Sequence, residues 1–564
     1  MRDVRSYVGR PSTRTDTFTA RRLPVLRLLA PLALAASTLV VTSGASLTTA
    51  SAAPGNGRPE VTSAVHHDTS GPLRGMPSKG RSAIQHEHPA KPLPFAPSTG
   101  APDGALQTTP TVAVTPTGGL NFAGVGSRDY GFVPNSAPPD TSGAVGATQY
   151  VQWVNESFAV FNKATGAIAA GFPKAGNTLW SGFGGGCEVN NDGDPIAQYD
   201  KAAGRWVLTQ FSVSTPSTDG YLQCVAVSTT SDATGTYDRY SFSYGSTQFN
   251  DYPKLGVWPD GYYVTYNIFN GNTFAGTKAC AFDRSKMLIG AAATQVCFQL
   301  GTSYAGLLPS DVDGTIAPPT GSPNYLLNFG TNALNLWKFH VDFAVPASST
   351  LSSTPTSIPV AAFNPACGGG TCIPQPNTSQ KLDSLADRLM YRLAYRHFRD
   401  GHEALVVNQS VKVSGTKRSE VDGVRWYELR NPVGTVAGSP AGTPSLYQQG
   451  TYSPDGTSRW MGSIAMDKVG NIAMGYSASS STLFPSIRYT GRVPTDPLGT
   501  MQPENTIVTG GGSQLANLAR WGDYSAMSVD PVDDCTFWFT SEYLKSSGTF
   551  NWSTKIASFK MPNC

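Results

Sequence analysis

The residues best placed to do chemistry are aspartates. Asp140, Asp194, Asp251, Asp313, Asp387 and Asp523 each stand just before a short apolar segment, a turn, and a second segment rich in Trp, Tyr and Val. If each opens an innermost strand, six carboxylates face one another at one end of a shared channel. Crowded carboxylates raise one another's pKa or gather a cation, and oxygen-only ligands suit Ca²⁺ or Mg²⁺. Lys254, Arg388, Arg459 and Arg520 each lie within three residues of a repeat start and supply counter-charge. The competing reading is structural: an Asp at a strand start accepts hydrogen bonds from free backbone N–H groups. The densest cluster is EVNNDGDP, with Glu188, Asn190, Asn191, Asp192 and Asp194 in one loop. It reads equally as a calcium loop ligated by Glu188, Asp192 and Asp194, or as part of a catalytic carboxylate set.

Carboxylates beside aromatic rings are what glycosidic hydrolysis requires: an acid, a base or nucleophile, and a ring for the sugar to stack on. On that reading Asp194, Asp251 and Asp523 are the acid, base or nucleophile candidates. Arg388 and Arg520 clamp the substrate, and Tyr252 and Tyr524 offer stacking surfaces. Two alternatives use the same face. A polysaccharide lyase would take Tyr524 or Tyr252 as its base, and a carbohydrate-binding or adhesion module would need no reaction at all. Other chemistries lack their residues: the sequence has no G-x-S-x-G, no H-E-x-x-H, and no phosphate or dinucleotide loop. His340, His397 and His402 read as ordinary strand and hairpin residues.

The elements that must position these residues follow from the repeat. The six aspartates, with an acid-lacking copy starting at Trp460, recur at intervals of 54 to 74 residues. Such a unit cannot bury both faces alone and must stack on its neighbours. The expected fold is all-β, a seven-bladed β-propeller of four-stranded antiparallel blades. The last repeat runs out after three strands, so the segment GGLNFAGVG at 118–126 is expected to close the ring as an N-terminal strand. Leu382, Leu385, Leu389 and Leu393 fit a helical stripe, but alternation over 389–395 and the Asp400-Gly401 turn favour a hairpin. Asp200, Asp260, Asp400, Asp467, Asp533 and Asp534 fall in turns at the opposite face. The blade geometry pairs Cys535 with Cys564, Cys280 with Cys297, Cys367 with Cys372, and Cys187 with Cys224.

Residues 1–52 carry a basic stretch, the apolar run LPVLRLLAPLALAASTLVV and a small-residue site at Ala50-Ser51-Ala52, the pattern of a secretory signal peptide. That segment holds seven Arg and two Asp, so its removal turns the formal +3 into about −2. No basic patch argues for nucleic acid, and no second apolar run argues for a membrane span. A secreted monomer, extracellular or periplasmic in transit, is expected, with extracellular glycan as partner and calcium as the cation. Residues 53–116, rich in Pro, Ser, Gly and Thr, are expected to be a disordered leader. Its His66, His67, His86 and His88 form a weak metal-like cluster but read as part of a solvated tail. The propeller domain is expected over 117–564.

GDPIAQYDKAAGRWVLTQFS and RWGDYSAMSVDPVDDCTFWFTSEY resemble segments of secreted bacterial propellers of the sialidase-like kind. That resemblance implies three arginines for a carboxylate, here Arg388, Arg488 and Arg520, with Tyr524 as nucleophile and a channel Asp as acid. YSPDGTSRW resembles the sialidase Asp-box only loosely, and FPSIRY falls late in the chain for the family's arginine motif.

Overall fold

A computed structural model describes residues 57–564 apart from 83, 96–99, 109–110, 112–114, 417–418 and 432–441. The signal peptide expected over 1–52 lies outside the described residues. The rest is mostly β, and among the described residues α-helix is confined to Gly185–Val189 and Arg284–Met287. No helix of the described residues is long and apolar enough to cross a membrane.

The strands run as antiparallel meanders in sequence order. Thr141–Val145, Gln149–Val154, Ser157–Asn162 and Lys174–Ala175 make one, and Ser458–Met466, Ile472–Ser479, Ser486–Arg492 and Asn505–Val508 another. The meanders beginning at Ile196–Asp200, Gln248–Val257, Leu308–Asp313, Met390–His397 and Ala526–Val529 follow the same plan. First strands of successive meanders lie side by side, and Ala526–Val529 returns to Thr141–Val145. The ambiguous stretch is a strand, Met390–His397. Thr117–Ala123 pairs with Trp552–Lys560 and supplies the fourth strand of the last meander. One departure from separate four-stranded units is that Leu308–Asp313 pairs in parallel with Met390–His397, joining two meanders in a nine-stranded sheet.

Sheets stacked face to face need apolar residues on both faces of a strand, hence runs such as RWVLTQFS over Arg205–Ser212 instead of strict alternation. Trp153, Trp206, Trp337, Trp426, Trp460 and Trp552 are fully buried. Each removes roughly 200 Å² from water, about 5 kcal/mol of gross hydrophobic stabilisation.

The leader departs from expectation. Glu60–Ser63 adds antiparallel to the outer edge of Thr294–Gln299, and His66–Thr69 to that of Tyr237–Ser243. Side chains fix both: Arg239 grips Asp68 at 2.6 and 2.8 Å, Lys278 reaches Glu60 at 2.9 Å, and His67 stacks on Tyr240. An extended segment needs no apolar residues to cap a sheet edge, because main-chain hydrogen bonds carry the pairing. A composition argument for disorder is blind to that route, and His66 and His67 do not belong to a solvated tail.

All four cysteine pairs form as expected: Cys187–Cys224, Cys280–Cys297, Cys367–Cys372 and Cys535–Cys564. Replacing Cys187 and Cys224 by serine is expected to cost about 2–4 kcal/mol, read from the urea midpoint. The Cys367–Cys372 pair, separated by 5 residues instead of 37, should cost less. Equal losses would show that loop length does not govern the effect.

Candidate functional site

The starts of the inner strands share a backbone peculiarity. Asp140, Asp194, Tyr252, Leu385, Met461 and Asp523 all have φ between 46° and 60°. This left-handed region is costly for most side chains and least so for Asp and Asn. Two strands also bulge there, between Asp251 and Lys254 and between Trp460 and Ser463. Aspartate thus recurs partly because it tolerates the turn that brings the chain from the outside of one sheet to the inside of the next.

At this end lies a cavity of about 680 Å³. Its wall includes Asp192, Asp194, Asp251, Asp523, Arg388, Arg520 and Tyr252, which sequence reasoning selected from four separate segments. Asp140 sits buried beside Asp194 and Asp523. Asp313 departs from the expected ring. It ends the Leu308–Asp313 strand instead of opening it, and its carboxylate takes Lys201 at 2.9 Å and Arg392. Asp387 is held bidentately by Arg388, at 2.7 and 3.2 Å.

The carboxylates differ in electrostatics. Burial, then the charges of Asp523 and Asp194, push Asp140 well above the carboxylate range, against Arg520 and Lys254. Burial also raises Asp194, whose Oδ2 accepts the Tyr252 backbone N–H at 3.1 Å. Asp251, half-buried on the cavity wall, is pushed up to about 7 by desolvation and by Asp194, opposed by Arg388 and Lys91. Asp523 is instead ion-paired, accepting from Arg520 at 2.7 Å. Below them the Lys254 ammonium lies 3.5 and 3.9 Å from the ring centroids of Tyr252 and Tyr524, and burial draws it down to about 8. Buried Glu542 is raised well above its usual range by desolvation, although its carboxylate accepts the Gly522 N–H at 2.8 Å.

Several expected roles do not survive this geometry. Tyr524 is fully buried, and its hydroxyl donates to the Pro195 carbonyl at 2.8 Å, so it offers neither a stacking face nor a nucleophile. Tyr252 touches the cavity, but Lys254 and Arg388 cover its ring and its hydroxyl donates to the Asp523 carbonyl. Burial raises both phenols, the opposite of what a lyase base needs. Arg388 is committed to Asp387, while Arg520 binds Asp383, Asp523 and the His88 carbonyl, so neither is a free clamp. Arg488 pairs with Glu504 on the Ser486–Arg492 strand and does not line the cavity, so the implied arginine triad is not assembled.

Nor do Glu188, Asp192 and Asp194 converge as a calcium site. Gly185–Val189 forms a short helix that turns Glu188 back onto the Gly182 and Gly184 N–H groups and Lys79. Asp192 accepts from the Val213 and Ser214 N–H groups and the Ser214 hydroxyl.

Sequence reasoning missed the wall made by the leader and what faces it. His86, His88 and Lys91 line the cavity, with Glu156 from the turn after Gln149–Val154 and the rings of Phe211 and Phe249. The one available signal was His-x-His spacing, which places both imidazoles on one face of an extended strand.

No protein-family model matches the sequence, and no curated protein matches it. Among solved structures the chain is similar to a glycosyl hydrolase from Bacteroides ovatus, at 11% identity and a TM-score of 0.25, covering 55% of this chain and 86% of that one. An endo-arabinase from Bacteroides thetaiotaomicron shares 14% identity at a TM-score of 0.26, over 57% of this chain and 95% of that one. An exo-β-1,3-galactanase from Clostridium thermocellum shares 11% identity at a TM-score of 0.27, over 79% of this chain and 97% of that one. These likenesses do not single out a sialidase, and at such identity and overlap no residue role passes from those enzymes to this chain.

Proposed function

We propose that the chain is a secreted seven-bladed propeller that binds extracellular glycan in the cavity at its inner-strand starts and hydrolyses a glycosidic bond there. The seven-bladed reading is supported by the seven meanders and the return of Ala526–Val529 to Thr141–Val145. Secretion is supported by four disulfides, which persist in oxidising compartments.

The observation that carries hydrolysis is the unlike pair of carboxyls on one wall. Asp251 keeps its proton up to about 7, whereas Asp523 is held by Arg520. A carboxyl that keeps its proton near neutral pH is suited to act as the acid, which leaves a second carboxyl lining the same cavity as base or nucleophile. Asp251 is then the proton donor to the leaving oxygen, and Asp523 faces the sugar or its attacking water. Asp194, raised and bound to the Tyr252 N–H, holds the backbone beside Asp251. Phe211 and Phe249 replace the covered tyrosines as apolar surfaces for a sugar ring.

A non-catalytic glycan-binding module is the second reading, favoured by the commitment of Arg388 and Arg520 to internal ion pairs. Incubation with a polysaccharide panel separates the two. New reducing ends support hydrolysis, and retention without products selects the binding module. Unsaturated sugar ends would revive the lyase and overturn the assignment of Asp251 and Asp523.

A further inference from the structure

On the leader side of the cavity, two imidazoles and one carboxylate meet at a single oxygen. His86 and His88 flank Glu87 on a short extended segment that pairs in parallel with Ser136–Ala137. Their side chains therefore project to the same face. His86 Nε2 lies 2.7 Å and His88 Nε2 3.5 Å from Glu156 Oε1. All three ligand atoms lie within 4.8 Å of one another.

A plain ion pair explains only half of this. His86 is at hydrogen-bonding distance from Glu156, but His88 Nε2 is buried and has no hydrogen-bond partner among the described residues. At 3.5 Å it stands too far for a good hydrogen bond. Two ligands on one tetrahedral Zn²⁺, each at its usual bond length, sit about 3.3 Å apart. The observed separations bracket that figure.

The surroundings also fit a metal. Glu156 Oε2 is occupied by the Asn135 amide at 2.9 Å, which leaves Oε1 facing the histidines. Asn135 is itself held by Arg81, whose guanidinium also binds the Val133 carbonyl. His86 Nδ1 lies on the side of the Ile84 carbonyl, 3.4 Å away, with Nε2 turned toward Glu156 Oε1.

We propose that His86 Nε2, His88 Nε2 and Glu156 Oε1 bind one divalent transition metal, with Zn²⁺ as the best chemical match. Two imidazoles and a carboxylate are a borderline-soft donor set that suits Zn²⁺ over Ca²⁺ or Mg²⁺. In the metal-bound form each imidazole would offer its Nε2 lone pair and carry its ring proton on Nδ1. The side chains of His86 and His88 are 39% and 24% exposed, and both line the cavity, so the fourth coordination position opens into it for a water or a ligand oxygen. The metal fastens the leader to the turn at Glu156. The proposal does not rest on the glycan reading, because metal uptake is read without any sugar.

The test uses the full mature chain stripped by chelator and then titrated with Zn²⁺ by calorimetry, and with Co²⁺ followed by visible absorbance. One equivalent of Zn²⁺ and an intense four-coordinate Co²⁺ spectrum are expected. His88→Ala should weaken Zn²⁺ binding by about 100-fold or more, and Asn135→Ala by about 10–100-fold. His66→Ala with His67→Ala should leave it unchanged. Glu156 is buried, so if Glu156→Gln lowers the melting temperature of the metal-free protein, His86→Ala at the exposed rim takes its place. No stoichiometric uptake by the wild type overturns the proposal, as does uptake that His86→Ala and His88→Ala leave intact.

Discussion

Arg392→Met is expected to lower the stability of the fold by about 3–5 kcal/mol, the largest loss predicted for any single side chain here. Arg392 lies on the Met390–His397 strand and is 2% exposed. It donates to Asp311 at 2.5 Å, to Asp313, and to the Met527 carbonyl at 2.7 Å. Asp311 further accepts from the Gln198 amide and the Val257 N–H. Arg392 and the Asp311 carboxylate it holds thus link the first strands of five meanders. Methionine keeps much of the stem but strands two buried carboxylates. Lys201 still faces Asp313, which places the loss toward the lower end of the range. Adding Asp311→Asn and Asp313→Asn to Arg392→Met should recover part of it, because the penalty comes from the uncompensated charges and not from the missing stem. Urea titration reads both. A urea midpoint unchanged in Arg392→Met, or a triple variant no better than the single one, would show that these ion pairs are not what holds the five first strands together.

Arg392 also shows where the sequence was legible and where it was not. Strand-turn-strand spacing, a turn at Asp400-Gly401 and cysteines near strand ends are local signals, so the meanders, the closing strand Thr117–Ala123 and all four disulfides could be read directly. The same signals selected Asp194, Asp251 and Asp523, since their position relative to a strand is encoded within a few residues. What a carboxylate meets from other segments is not local. Asp313 satisfies the repeat pattern yet closes its strand, and it meets an arginine 79 residues away. Tyr524 and Tyr252 look like exposed stacking rings in sequence, but Lys254 from a distant segment covers Tyr524 and Arg388 from a distant segment covers Tyr252. The leader was hardest to read, because backbone pairing at a sheet edge leaves no trace in composition, and Glu156 has no motif around it. The histidine spacing was visible, but its carboxylate partner came from a separate segment.

The second large effect concerns Asp251 and separates two consequences of one raised pKa. Burial and the neighbouring Asp194 lift this carboxyl from 3.8 to about 7, against the opposing charges of Arg388 and Lys91. Between those values the folded protein holds a proton that the unfolded chain has released. Its contribution to stability is therefore full below about pH 4, declines as pH rises, and is gone above about pH 7. Asp251→Asn removes the titration, so the variant should lose less stability than the wild type between pH 4 and pH 7, while above that window the two run parallel. Lys254, drawn down from 10.5 to about 8, acts in a separate window and with the opposite sign, since stability there rises with pH. Denaturant titrations of both proteins at pH 4, 5.5, 7 and 8 measure the difference directly and require no substrate. If Asp251 also donates the proton to a leaving sugar oxygen, turnover should fall as pH passes about 7, and Asp251→Asn should reduce kcat by roughly 10²–10⁴-fold with little change in KM. A stability difference in the predicted window with turnover intact in Asp251→Asn would leave the raised pKa standing and remove Asp251 from the chemistry. Parallel stability curves from pH 4 to pH 8 would remove the raised pKa itself, and with it the ground for choosing Asp251 over its neighbours.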